Sequence, residues 1–83
     1  MAENTDAKTK ERIEKDIRMF YDNIAKIASL KNDAAMLKVV DLSKMYASDA
    51  KSYLDKGDLY TAFSCISYAH GLLDAILQLN GEK

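Results

Sequence analysis

The chain contains no proline, and its only glycines are Gly57, Gly71 and Gly81. These two residue types most reliably stop a helix or re-aim the backbone. A chain so poor in both is expected to form long helices, and the position of each stop becomes informative. The sharpest stop is Lys56-Gly57-Asp58. Gly57 stands where a helix ends in a left-handed residue, a conformation open to glycine because it lacks a Cβ. Asp58 follows at once, with a short carboxylate suited to cap the free N–H groups of a new helix. A stop and a start in adjacent residues predict a tight αα-hairpin.

Apolar periodicity fills in the rest. From about residue 7 to 30, Ile13, Ile17, Phe20, Ile24 and Ile27 recur at spacings of four and three, a narrow heptad-like stripe. Thr5 or Asp6 is the expected cap, with Thr9 as a second candidate, and residues 1–6 read as a frayed polar lead. Lys31-Asn32-Asp33 interrupts the stripe, and Asn32 or Asp33 caps a second helix over about 33–56. Its apolar arc comprises Met36, Val39, Val40, Tyr46, Ala47, Ala50, Tyr53 and Leu54, with Ser43 inside it. A third helix spans about 59–79 and ends at Asn80-Gly81. The expected fold is a single all-α domain over residues 1–83, a three-helix antiparallel up-down-up bundle with the tight hairpin between helices 2 and 3.

The third helix differs in kind from the first. Between Leu59 and Asn80 the only formally charged side chain is Asp74. Leu59, Ala62, Phe63, Ile66, Ala69, Leu73, Ile76 and Leu77 make a broad apolar arc, widened by Cys65 and Leu72. Helices so poor in charge are usually covered on more than one side. The remaining side carries Ser64, Ser67, Gly71 and Ala75, flanked by Tyr60 and Tyr68. Gly71 costs about 1 kcal/mol relative to alanine in a helix interior, so close approach of another helix is expected there. Tyr60, Ser64, Ser67, Tyr68, Gly71 and Ala75 are therefore the candidate self-association surface.

Size points the same way. A chain of 83 residues buries roughly 60–65% of its unfolded surface and is marginal without a supplement. One cysteine, Cys65, rules out a disulfide within the chain, and one Cys with one His cannot complete a structural zinc site. A homo-oligomer is the expected supplement. Twelve basic and thirteen acidic side chains give a net charge of −1, which argues against nucleic acid or an anionic membrane as partner. Lys8, Lys10, Arg12, Lys15 and Arg18 are interleaved with Glu11, Glu14 and Asp16, so that segment reads as a solvated face. Met1 leads into Ala-Glu-Asn-Thr-Asp with no basic-then-apolar leader, no stretch approaches the ~20 apolar residues of a membrane span, and the lone thiol fits a reducing compartment. A cytoplasmic protein is expected.

Candidate chemistry is sparse. His70 lies four residues before Asp74, a spacing at which the carboxylate can fix the imidazole tautomer. This pair is the one candidate polar site, and a structural His–Asp bridge is the simpler reading. Cys65 has no histidine or basic residue near it in sequence and reads as a small hydrophobe. Tyr21, Tyr46, Tyr53, Tyr60 and Tyr68 suit a bundle rim or an interface. Neither a phosphate loop nor a metal-ligand motif is present, and no cofactor is called for.

Two segments carry a family resemblance: Ala50-Lys51-Ser52-Tyr53-Leu54-Asp55-Lys56-Gly57-Asp58-Leu59-Tyr60-Thr61-Ala62-Phe63, then Ser67-Tyr68-Ala69-His70-Gly71-Leu72-Leu73-Asp74-Ala75. They resemble the DA-x-x-Y-L-x-K-G-D turn and Y-A-x-G-L-L-D-A helix of the small archaeal family catalogued as domain of unknown function 357. The resemblance covers roughly the last 35 residues and implies an archaeal, compact helical protein with no established activity. It places Gly71 and Asp74 within the family pattern. A looser similarity, a helix ending in Gly-Asp followed by Tyr-x-x-Ala, extends to tetratricopeptide repeats and HEPN-type domains. No 34-residue repetition is present, and Ser64 to Ala69 lack the arginine that HEPN ribonucleases place before their histidine. The expected function is a non-enzymatic module binding itself or another protein. The alternative is a degenerate HEPN-like RNA-associated protein, or a small-ligand binder using His70 and Asp74.

Overall fold

The computed structural model describes residues 2–28 and 33–79. Three helices, α1 (Ala2–Ala28), α2 (Ala34–Asp55) and α3 (Leu59–Leu79), form an up-down-up bundle. Among the described residues only Asp33 and Lys56-Gly57-Asp58 lie outside them, and there is no strand.

The α1 helix begins earlier than its stripe suggests. Thr5, Asp6 and Thr9, read as caps, lie inside it. No proline or glycine interrupts the stretch. Leu30, Asn32 and the Asn80-Gly81 stop lie outside the described residues. Asp33 is the cap of α2: its backbone is extended, and its Oδ1 accepts from the Met36 N–H at 2.8 Å.

The α2–α3 turn is built as its residues dictate. Gly57 has φ +84 and is the one described residue in the left-handed region. The Gly57 N–H donates to the Leu54 carbonyl at 3.0 Å and the Asp58 N–H to the Tyr53 carbonyl at 2.9 Å, the paired bonds that satisfy the last carbonyls of a helix. Asp58 then starts α3: its Oδ1 accepts from the Thr61 N–H at 3.1 Å and its carbonyl from the Ala62 N–H at 3.0 Å.

These bonds favour the charged carboxylate, and hydrogen bonding to Thr61 holds the Asp58 carboxyl below its ordinary value of 3.8. Stability from the charged cap is thus complete above the unfolded value and lost as pH falls through the lower, folded one. The thermal midpoint of wild type is expected to fall more steeply below about pH 4 than that of Asp58→Asn, whose neutral amide caps well at any pH. Circular dichroism melts across that range check this.

Three stripes meet in the core. Ile13, Ile17, Phe20 and Ile27 of α1 are buried, and Ile24 packs against them. On α2 the buried residues are Val40, Ser43, Ala47, Ala50 and Leu54, with the Ser43 hydroxyl donating to the Val40 carbonyl at 2.7 Å. On α3 they are Ala62, Ile66, Ala69, Leu73, Ile76 and Leu77. Phe63, expected in that arc, is 45% exposed. It lies three residues before Ile66, turned about 60° off the buried line, which puts its ring on the rim.

The small side chains Ser43, Ala47 and Ala50 of α2 and Ala62 and Ala69 of α3 are fully buried, and α2 and α3 share the most extensive contact, while α1 leans mainly on α3. The result is elongated, 46 × 20 × 15 Å.

Candidate functional site

α1 lies against one flank of the α2–α3 hairpin. The Phe20 ring meets His70 of α3 edge-on at 5.9 Å, and the His70 Nε2–H donates to the Asp16 carbonyl oxygen at 2.7 Å. A carbonyl only accepts, so Nε2 carries the proton. This Nε2 bond crosses from α3 to α1, and Asp74, one turn along α3 from His70, is half-buried. Lys51 and Leu54 of α2 border a shallow hollow shared with Glu14, Ile17 and Arg18 of α1. The covered flank is thereby located on both helices of the hairpin.

The other flank follows from helix geometry. Tyr68 and Leu72 stand two positions either side of His70 and are turned about 160° away from it. Across from them is Tyr46, whose ring meets Tyr68 edge-on with centroids 4.6 Å apart. Val39 and Tyr53, seven residues either side of Tyr46, share its flank. Cys65 joins from α3. Val39, Tyr46, Tyr53, Cys65 and Leu72 are half-buried and Tyr68 is 52% exposed. Among the described residues no helix covers this apolar groove. Lys56 Nζ sits 5.3 Å from the Tyr53 ring centroid at one end, a cation over an aromatic face.

The residues singled out from sequence distribute unevenly around it. Tyr68 belongs to the groove. Tyr60, Ser64, Ser67, Gly71 and Ala75 are exposed along the outer side of α3, with Tyr60 at 83%. The Ser64 hydroxyl donates back to the Tyr60 carbonyl at 3.0 Å. A Cβ added at Gly71 would meet nothing within 4 Å, so no helix of this chain makes the close approach its glycine suggested. Val39, Tyr46 and Tyr53 lie in the apolar arc of α2 and pack against the core at its rim. Their seven-residue spacing, running beside Val40, Ala47 and Leu54, is the signal of a second stripe.

The reactive side chains are quiet. Burial, then the Asp49 and Asp58 carboxylates, pushes the Cys65 thiol above its ordinary value of 9.0, so it stays protonated at neutral pH and is a poor nucleophile. His70 is half-buried against α1. Two shallow hollows run along α1, lined by residues such as Lys8, Arg12, Lys15 and Met19, and neither includes His70 or Asp74. Among the described residues no group of His, Cys, Asp and Glu could hold a metal ion, and no helix is long and apolar enough to cross a membrane.

A comparison with curated proteins gives no match. The hairpin, its Gly57-Asp58 turn and the helix beyond it all fall within residues 15–81, over which the family model described as "Protein of unknown function (DUF357)" matches, and the chain belongs to that family.

Proposed function

We propose that this protein is a non-enzymatic helical interaction module whose working surface is the α2–α3 flank turned away from α1. The observation that carries this reading is the Tyr46–Tyr68 pair, set in a line of half-buried apolar side chains with no helix of the described chain over it. Tyrosine is enriched where protein surfaces meet, because its ring is a large apolar body with a polar tip. The side chains able to do chemistry support the same reading. The Cys65 thiol is held protonated, and the His70 ring is committed to an α1 carbonyl.

Photo-crosslinking in cells tests this. A benzophenone side chain placed at position 68 is expected to yield discrete protein adducts. The same group at position 12, on the exposed face of α1, is expected to yield none. Absence of adducts from position 68, or adducts to RNA alone, would sink the proposal.

A further inference from the structure

Resting on that reading, we infer that the occupant of the α2–α3 flank is a second copy of this chain, packed hairpin against hairpin about a two-fold axis. Three observations converge on it. The first is area. α2 and α3 have 22 and 21 residues, so they run side by side for about 30 Å. With axes 8–10 Å apart the hairpin is roughly 20 Å wide. The flank therefore offers about 600 Å², which is what each partner contributes at the lower end of stable interfaces.

The second is the surface of the chain itself. Tyr68 is 52% exposed and Val39, Tyr46, Tyr53, Cys65 and Leu72 are half-buried, so the flank keeps apolar surface in water that packing against a second copy would hide.

The third is charge. In a two-fold contact, residues near the axis meet their own copies, so a charged centre repels itself. Val39, Tyr46, Tyr53, Cys65, Tyr68 and Leu72 are all uncharged. Exposed Lys38 and Asp49 of α2 and Lys56 just beyond its end mix both signs, which suits a polar rim. A partner of strongly opposite charge would find nothing here to recognise, whereas this surface is compatible with itself.

Sedimentation equilibrium of the full chain at tens of micromolar tests the inference. Wild type is expected at twice the 9.3 kDa chain mass. Tyr68→Glu, which sets like charges against each other near the axis, is expected to halve the apparent mass while the helical circular dichroism stays unchanged. Its ring is half exposed, so the fold tolerates the change. A monomeric wild type at all concentrations overturns self-pairing, as does a dimer indifferent to Tyr68→Glu in a variant shown to be folded. A monomer whose position-68 crosslinker couples to a different protein overturns self-pairing and leaves the interaction module standing. A monomer without any position-68 adduct overturns both.

Discussion

Phe20→Ala is expected to remove about 3–5 kcal/mol of stability, the range for deleting a fully buried aromatic ring. A chain of 83 residues holds roughly 4–12 kcal/mol in total, so the loss takes from about a quarter to all of its stability. The position explains the size of the effect. Phe20 has no exposed surface, and its ring packs edge-on against Tyr21 at 5.2 Å and His70 at 5.9 Å. It sits where α1 joins α3, beside the bond from His70 to the Asp16 carbonyl. Removing the ring leaves a cavity and loosens the partner that bond depends on. Urea unfolding followed by circular dichroism measures the loss. Phe20→Leu, which keeps most of the volume, should lose less than half as much. A Phe20→Ala loss below about 1 kcal/mol would mean that α1 does not dock on α3 through this ring.

The opposite error, too much volume, is expected to be nearly as damaging at Ala69. Ser43, Ala47, Ala50, Ala62 and Ala69 have no exposed surface. The Tyr46–Tyr68 contact ties the two helices together beside Ala47 and Ala69, each the chain neighbour of one of the paired rings. Helices that meet through alanine approach toward the short end of the ordinary 8–10 Å range. Ala69→Leu must push them apart or force a poor rotamer, at about 1–3 kcal/mol. The same displacement separates the two tyrosine rings. With no tryptophan in the chain, the near-ultraviolet circular dichroism reports mainly on tyrosine, so that signal should fall along with the thermal midpoint. Ala69→Val, a smaller insertion, should fall between Ala69→Leu and wild type. A neutral Ala69→Leu would show slack between α2 and α3 that the buried alanines argue against.

Much of this architecture was legible residue by residue. Gly57 and Asp58 declared the hairpin because left-handed backbone and helix capping are local properties of the residues themselves. The stripe from Ile13 to Ile27 and the arcs of α2 and α3 were readable because a helix repeats every 3.6 residues whatever lies beside it. The proposed interaction surface was only half legible. Tyr68 was marked, yet it came with a strip of small residues on the outer side of α3, while Tyr46 and Tyr53 suited a bundle rim as well as an interface and Val39 stood in the core arc of α2. A helical wheel orders residues around one axis and is silent about where the neighbouring axis lies.

The hairpin, the helix identities and the buried stripes are therefore what the amino-acid order determined by itself, through interactions within a turn or two of chain. Tertiary structure decided which flank of the hairpin α1 covers. That choice turned His70 to a carbonyl 54 residues away, left Phe63 on the rim and kept the Tyr46–Tyr68 groove open. Each depends on docking two helices far apart in sequence. The preference for one flank is a sum of packing contacts between them, and no local pattern contains that sum.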